Sequence, residues 1–563
     1  MRRLRLDLPP VPAALAERYR ADGAWDDRSL GRLLDGALRA HPGRRVTIFS
    51  ASRPYRGTAV AVHERAARFA GCLAGLGIGP GDPVAFQLPN WEEAAVVFYG
   101  CAMAGAVLVP VVHFYGPKEL GFILAESKAR LLVTAGRFGS RDYLADLAAL
   151  EGALPGLEHV VVAGGDGAAD GIALDDLVAR AEPLAAPVRL DPSDPALIAY
   201  TSGTTADPKG VVHTHRSLGF EVRQLAAHQS ERVLPSLTGA PVGHAIGMLS
   251  GLLVPLLLGF DLYLTDVWDP TRVLDIMARE KISAGTGSTY FLTSLLDAPG
   301  FGPEHAALMG MIGLGGSPVP NAIADRAASL GISIVRAYGC TEHPSVTGSR
   351  HGDPAAKRLY TDGRPLAGAE VCLRDEDGRE VPAGSGQAGE IWTRGPDRCA
   401  GYTDPELTSI AFDGAGWFRT GDVGIVDAEG FVTVTDRVKD IIIRGGENVS
   451  PAEVEQVLAT MRGIGEVAVV AAPDARLGEH GCAFVRMQPG ALEVTVEGMR
   501  AHLAAAGLAR QKWPEEVRVV AELPRTPSGK VRKVALRDQL REEAAAHPVP
   551  AGDHSSSTTR TDL

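Results

Sequence analysis

A run of hydroxyl-bearing and glycine residues in the middle of the chain ends in a lysine and lies between two apolar stretches. The run is YTSGTTADPKG, from Tyr200 to Gly210. It offers side-chain hydroxyls, backbone N–H donors and one cation, at Thr201, Ser202, Gly203, Thr204, Thr205 and Lys209. Donors of this kind on a turn suit an anion, so the segment is predicted to hold phosphate.

The segment differs from the loop of P-loop kinases and GTPases, in which glycine directly precedes the lysine. Pro208 occupies that position here. His213 and His215 follow closely, but no carboxylate or cysteine lies near them at a metal-ligand spacing, and we expect them to be structural. Taken alone, the segment could also be a polar surface turn, so the rest of the chain must decide.

Four further segments carry side chains that could do chemistry. They are YGCTE (Tyr338–Glu342), GWFRTGD (Gly416–Asp422), DRVKDIIIRGGENVSPAEVE (Asp436–Glu455) and PRTPSGKVRK (Pro524–Lys533). Lysine is rare in this chain, with nine lysines against 47 arginines, yet Lys209 lies in the first segment and Lys439 and Lys530 lie in two of these four. The few lysines of this chain are therefore informative about where its chemistry lies.

The five segments, in this order and approximate spacing, resemble the motifs of the adenylate-forming superfamily. That superfamily contains acyl-CoA synthetases, adenylation domains of peptide synthetases and beetle luciferases, and the resemblance covers nearly the whole chain. One departure is Ala206, where the family commonly has glycine. The segments SGTTADPKGVVHTH and DVWDP are most similar to those of acyl-CoA ligases of the cyclohexanecarboxylate and fatty-acid types.

The resemblance implies that ATP and a carboxylic acid form an acyl-adenylate, which then passes to CoA. Two anions must meet at the α-phosphate, which demands cations and preorganised donors. By similarity, Lys530 bridges carboxylate and phosphate oxygens, Thr341 touches the α-phosphate, and Glu342 is the magnesium ligand. The implied small molecules are therefore ATP, Mg²⁺, CoA and a carboxylic acid.

The same resemblance implies an ATP site in which Tyr338 stacks on adenine and Asp422 accepts hydrogen bonds from the ribose, with Arg437 beside it. The full set expected at the nucleotide is Thr201, Ser202, Gly203, Thr204, Thr205, Lys209, Gly315, Gly316, Ser317, Tyr338, Gly339, Cys340, Asp422 and Arg437. The glycines of GLGGSPVP would let the backbone approach the ligand closely.

An acid pocket is expected around PVGHAIGM and the strand before GGSP. Its predicted residues are His244, Ile246, Met248, Gly313 and Leu314, with His244 as a wall or gate and a catalytic candidate. Amino-acid-activating relatives carry an aspartate near His244, and none occurs here. The apolar neighbours favour an apolar acid, cyclic or otherwise bulky.

In the family, the second half-reaction follows a rotation of the small domain. The pivot falls at Lys439 in this sequence, and Gly445 and Gly446 would line the passage of the CoA thiol arm. These positions are implied by the resemblance.

The elements that must position these residues form two domains. Up to residue 438, helical patterns alternate with short apolar strands that end in Gly, Ser or Thr, which predicts an α/β domain with largely parallel sheets. From about Gly363, glycine-rich turns between short predicted strands indicate a small antiparallel subdomain. Residues 439–546 predict a mobile α+β domain, and residues 547–563 a disordered tail.

Composition limits the partners and the compartment. The 563 residues carry a net charge of −12, which argues against gripping nucleic acid or anionic membranes through the overall field. Six scattered cysteines favour a reducing compartment. The apolar stretch Ala245–Phe260 is short and interrupted by glycine and proline, so a buried helix is expected rather than a membrane span. With no signal peptide recognised at the start, we expect a cytoplasmic protein, monomeric or homodimeric.

Alternatives remain open at this point. An acyl-AMP ligase that transfers its product to a carrier protein would share every motif. An inactive nucleotide-binding relative is disfavoured by the joint presence of Lys209, Glu342, Asp422 and Lys530, and nothing points to the oxygen chemistry of a luciferase.

Overall fold

The computed structural model describes residues 6–150, 152, 154–164, 171–201, 208–230, 234–444, 447–474, 477–526 and 530–546, with the backbone alone at 447, 448, 545 and 546. The chain divides into two compact units. The first is Met1–Val438 together with Thr526–Lys530, and the second is Lys439–Arg525 together with Val531–Leu563.

The strands of the first unit, numbered along the chain, are β1 (Arg45–Phe49), β2 (Tyr55–Thr58), β3 (Pro83–Gln87), β4 (Val107–Pro110), β5 (Leu131–Ala135), β6 (Arg137–Phe138), β7 (Arg141–Asp142), β8 (His159–Ala163), β9 (Ile172–Ala173), β10 (Pro195–Thr201), β11 (Lys209–Thr214), β12 (Ser236–Thr238), β13 (Leu262–Thr265), β14 (Ser283–Ala284), β15 (Met311–Gly315), β16 (Ser333–Tyr338), β17 (Thr347–Gly348), β18 (Arg364–Pro365), β19 (Glu370–Arg374), β20 (Glu380–Val381), β21 (Gly389–Arg394), β22 (Gly401–Tyr402), β23 (Phe418–Val426) and β24 (Val432–Arg437).

The helices of the first unit are α1 (Ala13–Ala21), α2 (Leu30–Ala40), α3 (Ala59–Gly75), α4 (Glu92–Ala104), α5 (Pro117–Glu126), α6 (Tyr143–Ala148), α7 (Leu174–Arg180), α8 (His215–His228), α9 (Ala245–Gly247), α10 (Val254–Leu258), α11 (Pro270–Glu280), α12 (Thr289–Leu296), α13 (Pro303–Leu308), α14 (Asn321–Ser329), α15 (Ala355–Tyr360) and α16 (Pro405–Ala411). A π-helical turn, Met248–Leu253, joins α9 to α10.

Two sheets with mainly parallel pairing form the body of this unit. The larger has the order β22-β11-β10-β4-β3-β5-β8-β9, with parallel pairing from β10 through β9 and antiparallel pairing of β11 with both neighbours. The other has the order β14-β12-β13-β1-β2. Strands β3, β4 and β5 are buried along their whole length, which is why each is a short apolar run rather than an alternating pattern. The α/β prediction is therefore confirmed.

Two smaller sheets complete the first unit. In β15-β16-β17-β18, the first pair is parallel and the others are antiparallel. The sheet β20-β19-β21-β23-β24 is antiparallel throughout, as predicted for the region after Gly363. Four of the predicted nucleotide-site residues lie on these two sheets, namely Gly315, Tyr338, Asp422 and Arg437.

The second unit is an α+β module. It contains β25 (Ile442–Arg444), β26 (Glu447–Val449), β27 (Ile464–Asp474), β28 (Gly478–Met487), β29 (Glu516–Val519), α17 (Pro451–Leu458), α18 (Val496–Ala505) and α19 (Lys533–Ala546). Strands β27 and β28 pair antiparallel over most of their length, and β29 adds to β28 in parallel. Helices α17 and α18 cover a core that includes Ile442, Val454 and Leu503.

Buried side chains of the first unit form two main cores. One lies among α2, α3, α4 and α8 and the larger parallel sheet, and includes Trp91 and Phe98. The other surrounds α11, α12 and β15, and includes Met277 and Leu314. No helix within the described ranges is long and apolar enough to cross a membrane.

Candidate active site

The phosphate-binding candidate lies at the open end of a strand pair. Thr201 ends β10, Lys209 begins β11, and the two residues are register partners in an antiparallel pair. Gly210, the next residue, has no room for a side chain, because an added Cβ would lie 2.5 Å from Oγ1 of Thr403. Ser202, Gly203, Thr204 and Thr205 fall outside the described residues, so their predicted roles stay predictions.

The segment that follows β16 is a tight turn held by its own backbone. The amide of Cys340 donates to the carbonyl of His343 at 3.0 Å, and the amide of His343 donates back to Cys340 at 3.2 Å. Gly339 is required for this turn, since an added Cβ would lie 1.9 Å from the carbonyl oxygen of Pro344. The turn projects Thr341 and Glu342 from the end of the strand.

A buried histidine fixes this turn from β11. Nε2 of His213 lies 2.7 Å from the carbonyl oxygen of Thr341. A carbonyl only accepts, so Nε2 carries the proton, and burial lowers the pKa of His213 to about 4, which keeps the ring neutral. His215, also buried, accepts from the amide of Leu30 at 3.3 Å. Both histidines are structural, as predicted, but the link from His213 to Thr341 was not predicted.

The carboxylate of Glu342 is held by a residue that sequence reasoning missed. The hydroxyl of Tyr402 donates to Oε1 of Glu342 at 2.7 Å. Tyr402 lies on β22, which pairs with β11, and Nζ of Lys209 lies 5.7 Å from the centre of its ring. Burial and the neighbouring carboxylate raise the pKa of Tyr402, so the phenol remains a donor. Lys209, Tyr402 and Glu342 therefore form one group.

The predicted ribose ligand Asp422 is buried with both carboxylate oxygens engaged. The hydroxyl of Tyr338 donates to Oδ2 at 2.7 Å, and Nε of Arg437 lies 2.9 Å from Oδ1. Asp422 and Arg437 are register partners on β23 and β24, which explains their proximity. The ring of Tyr338 is thereby fixed through its hydroxyl, and burial with the charge of Asp422 raises its pKa.

The end of β15 brings Gly316, Ile246 and Lys530 together. Gly316 has a φ of +72°, which favours glycine. A Cβ there would lie 2.6 Å from Cδ1 of Ile246 and 3.9 Å from Cε of Lys530. Ser317 bonds the amide of Thr289 through its hydroxyl at 3.3 Å. The predicted catalytic lysine thus lies beside the predicted GGS turn.

Electrostatics around Lys530 favour a partly neutral amine. Burial, followed by the positive charge of Arg437, lowers the pKa of Lys530 to about 8, while Asp422 and Glu342 oppose this effect. Burial, with a smaller effect of Lys530, lowers the pKa of His244 to about 4. His244 is therefore neutral at physiological pH, and its Nδ1 accepts from the amide of Ile246 at 3.4 Å.

The helical stretch that carries His244 differs from the single buried helix expected. Gly247 packs against the backbone, since a Cβ would lie 2.1 Å from the carbonyl of Pro241, and Oγ of Ser250 bonds the carbonyl of Ile246 at 2.6 Å. Because the hydroxyl competes for that carbonyl and Pro255 removes an amide donor, the middle of the stretch widens to a π-turn.

Two predicted acid-pocket residues lie in hydrophobic cores instead. Met248, on the π-turn, packs in the core of α2, α3 and α4. Leu314 packs in the core around α11 and α12, because side chains on a strand alternate and Gly313 faces the other way. Only Gly313 of the five predicted residues lines the cavity described next.

A cavity of about 80 Å³, open to solvent, lies against β15, β16 and β17. Small side chains leave this space: Gly313, Ala337 and Gly348 line it, together with the apolar Met311 and Val335. The remaining lining residues are Leu225, His228, Gln229, Thr286, Arg336, Ser345, Thr347, Ser349, Arg350, His351 and Leu366. The cavity lies two to three residues upstream of Gly316 and Cys340 on the same parallel strands.

A buried polar cluster supports the wall of this cavity. Oγ of Ser345 donates to Oε1 of Glu221 at 2.6 Å. Burial and the nearby carboxylate of Asp397 raise the pKa of Glu221 well above its usual value. Asp397 in turn lies 3.3 Å from Nε2 of His343, whose other nitrogen bonds Thr393. Burial therefore favours the protonated form of Glu221.

A magnesium ion can be tested against the donor set. Among the described residues, no group of three or more His, Cys, Asp or Glu side chains could hold a metal ion. At nucleotide sites, however, Mg²⁺ is usually held by one or two carboxylates together with substrate phosphates and water. The single carboxylate of Glu342, beside Lys209, fits that manner of binding.

Lys439 is the first residue of the second unit, and Val438 ends the first. Gly445 and Gly446 lie outside the described residues, so the predicted CoA passage and the hinge stay predictions. The tail predicted from 547 is likewise outside the described part.

The first unit has an α/β body, with Lys209 at the start of β11 and Glu342 in the turn after β16. This arrangement is the one expected of an enzyme that uses a nucleotide. The model of the family described as AMP-binding enzyme matches residues 34–403, and that of the AMP-binding enzyme C-terminal domain matches residues 453–530. The chain therefore belongs to the AMP-binding enzyme family, the adenylate-forming superfamily.

Individual relatives span nearly the whole chain. A medium-chain fatty-acid–CoA ligase of Escherichia coli strain K12 is 32% identical and covers 93% of this chain and 92% of its own. A 3-[(3aS,4S,7aS)-7a-methyl-1,5-dioxo-octahydro-1H-inden-4-yl]propanoyl:CoA ligase of Rhodococcus jostii strain RHA1 is 36% identical and covers 85% of this chain and 93% of its own. The crystal structure of the anthranilate CoA ligase AuaEII with anthranoyl-AMP matches with a TM-score of 0.82 at 26% identity, over 92% of this chain and 98% of that one.

Proposed function

We propose that this protein, an AMP-forming acid:CoA ligase, activates a bulky and largely apolar carboxylic acid whose acyl group occupies the cavity beside β15 and β16. One observation carries the proposal. The strands that line the cavity at Gly313 and Ala337 continue directly to Gly316, beside Lys530, and to the turn that carries Thr341 and Glu342. An acyl chain in the cavity would therefore have its carboxylate at the charged group.

The names of two relatives support the size of the acid. The ligase of Rhodococcus jostii is named for a bicyclic propanoyl group, and the ligase of Escherichia coli for medium-chain fatty acids. Mostly apolar walls would bind a ring system through burial of its surface.

In the first half-reaction, an oxygen of the carboxylate attacks the α-phosphorus of ATP and forms a P–O bond, while the bond to the β-phosphate oxygen breaks and pyrophosphate leaves. We propose that Lys530, in its charged form, lies between the two anions. Lys209 and the loop 201–205 would hold the β- and γ-phosphates. Charge held in place before reaction lowers the barrier most where charge builds up in the transition state.

Mg²⁺, when bound, would neutralise phosphate charge, and Glu342 is the residue proposed to hold it. The hydroxyl of Tyr402 orients that carboxylate, and His213 fixes the turn behind it. Asp422, oriented by Tyr338 and Arg437, would accept from the ribose hydroxyls. Each nucleotide-facing group thus has a second residue that sets its position.

In the second half-reaction, the thiolate of CoA attacks the acyl carbon, a thioester forms and AMP leaves. We propose Lys439 as the hinge that separates the two half-reactions, and Gly445 and Gly446 as the lining of the thiol passage. The division of the chain at Val438 and Lys439 supports the position of the hinge.

We further propose a cytoplasmic protein that acts as a monomer or homodimer. All six cysteines are free thiols. Unpaired cysteines are typical of a reducing compartment.

A pyrophosphate-release screen tests the function. The full-length protein is incubated with ATP, Mg²⁺ and single acids from aliphatic, aromatic and bicyclic series, with and without CoA, and thioester is measured by mass spectrometry. We expect acid-dependent pyrophosphate in both conditions and thioester only with CoA. Lys530→Ala should lose pyrophosphate release. Thioester formed only with a phosphopantetheine carrier protein would contradict the assignment of CoA as acceptor.

A further inference from the structure

One polar group in the cavity wall has no partner. Ser349 is 1% exposed and lines the cavity, and its Oγ makes no hydrogen bond to any described residue. A buried hydroxyl without a partner costs free energy, so such a group in a ligand cavity marks a place where the ligand supplies the partner.

The neighbouring hydroxyls on the same wall are already engaged. Ser345 donates to Glu221 at 2.6 Å, and Oγ1 of Thr347 donates to the carbonyl of Asp362 at 2.5 Å. Thr347 lies on β17 and Ser349 follows it by two positions, so their side chains share a face, while Ser345 lies in the turn before the strand. Of these three hydroxyls, that of Ser349 lacks a partner among the described residues.

The position of Ser349 sets its distance from the chemistry. The amide of Ser349 bonds the carbonyl of Arg336, and Arg336 is the register partner of Leu314. Ser349 therefore lies two strands across from β15 and two residues back from Gly316. These steps are about 10 Å and about 7 Å, which together place Ser349 on the order of 12 Å from Gly316.

We propose that the acid carries a neutral hydrogen-bond-accepting oxygen, such as a ring ketone, at its end distant from the carboxylate, and that the hydroxyl of Ser349 donates to it. This inference rests on the proposed function, because it assumes that the cavity holds the acyl group. A separation on the order of 10 Å corresponds to two fused rings joined to a short acid chain. Ser349 is then a residue that determines specificity.

The charges around the cavity favour a neutral oxygen over a second carboxylate. Arg336 is buried, but its guanidinium is already bonded to Asp362 at 2.9 Å and to the carbonyl of Leu359 at 3.1 Å. Arg350 is exposed, so water screens its charge. Transfer of a second carboxylate to this depth would therefore lack a buried cation to compensate it.

The test compares acids that differ in one oxygen. A bicyclic propanoic acid with a distal ring ketone, the same acid with CH₂ in place of the carbonyl, and the same acid with a distal carboxylate are measured for kcat/KM of pyrophosphate release. The wild type is expected to favour the ketone over the CH₂ acid by about tenfold or more, because a site built to donate rejects the analogue that cannot accept. In Ser349→Ala that ratio should fall towards one.

A matched control separates recognition from general loss of a hydroxyl. Ser283 is also buried with an Oγ that has no partner among the described residues, but it does not line the cavity. Ser283→Ala should keep the ketone preference of the wild type. Ser349→Thr, which retains a hydroxyl, should keep most of it. Should Ser349→Ala fail to fold in a thermal unfolding assay, Ser349→Cys supplies a weak donor and should lower the ratio.

Three results would overturn the inference: equal or better use of the CH₂ acid by the wild type, a ketone preference that persists in Ser349→Ala, or preference for the distal carboxylate. If other acids in the screen give thioester while no ketone acid exceeds its CH₂ partner, this inference fails and the ligase function stands. If no acid releases pyrophosphate, the proposed function fails as well.

Discussion

Tyr402 offers the sharpest test of how the site is held together. Its hydroxyl donates to Glu342 at 2.7 Å, and its ring faces the ammonium of Lys209. The substitution Tyr402→Phe removes the donor and keeps the ring. It therefore removes the orientation of the proposed magnesium ligand without removing the ligand itself.

The expected magnitude follows from the type of bond. A hydrogen bond to a charged group contributes about 1.5 to 3 kcal/mol. If that free energy is needed to hold Glu342 in the transition state, adenylation should slow by about 10- to 150-fold. The concentration of Mg²⁺ that gives half-maximal rate should rise, because a carboxylate that is no longer oriented binds the ion less well.

The assay separates the two half-reactions. Acid-dependent pyrophosphate release is measured against Mg²⁺ concentration, and thioester formation is measured from a supplied acyl-adenylate with CoA. Tyr402→Phe should impair the first and affect the second much less. Tyr99→Phe is the control, because it removes another buried phenol bond of 2.7 Å, made to the carbonyl of Leu252.

Two results would refute the reasoning. The first is a Tyr402→Phe enzyme that matches Tyr99→Phe in adenylation rate and in Mg²⁺ dependence, which would mean that the bond to Glu342 is structural only. The second is an equal fall in both half-reactions, which would mean that the bond to Glu342 does not act specifically on adenylation.

Three further predictions concern the cavity, the turn and the lysine. At Gly313, an added Cβ would lie 3.8 Å from its nearest neighbour, so a side chain can be introduced there. Gly313→Leu should lower kcat/KM for bicyclic acids about 10- to 100-fold and spare short acids. An equal loss for all acids would exclude the cavity as the acyl site. His213→Ala should slow pyrophosphate release about tenfold through loss of the bond to Thr341, with partial recovery in His213→Gln. A variant that unfolds at a lower temperature but releases pyrophosphate at the normal rate would contradict this. In the free enzyme, kcat/KM for adenylation should fall as pH rises through about 8, because burial and the charge of Arg437 lower the pKa of Lys530 to about 8 and the neutral amine cannot compensate two anions. Lys530→Arg should abolish this alkaline decline, and a wild-type profile that stays flat to about pH 10 would contradict the assignment.

Much of the fold could be predicted because its signals are local. The run LLVTA forms β5, the run HVVVA forms β8, and the periodic segment PAEVEQVL forms α17. Each is short, apolar or periodic in its own right, so no distant contact is needed to recognise it. The glycine-rich turns and short strands that begin near Gly363 likewise mark the antiparallel sheet.

The acid pocket was harder to predict. The side of a sheet on which a side chain lies is decided by how the strands pair and pack, rather than by the residue type. Gly313 and Leu314 are neighbours in sequence, yet one lines the cavity and the other the core. An apolar run buried on both faces gives no alternation from which to choose. Met248 begins the π-turn, and its side chain packs in the core of α2, α3 and α4.

The residues that orient the site could not be found from the sequence for a further reason. Tyr402 lies about 60 positions from Glu342 and about 190 from Lys209, and only the pairing of β22 with β11 brings the three together. A buried phenol beside a strand glycine, as at Gly401, was the only local signal.

Strand β11 explains why the separate motifs act as one site. It begins with Lys209, it carries His213, whose imidazole holds the carbonyl of Thr341, and it pairs with the strand that carries Tyr402. The proposed grip on the leaving phosphates and the proposed magnesium ligand are therefore attached to the same backbone. A small displacement of β11 would move both groups together, and would change adenylation without altering the walls of the acid cavity on β15 and β16.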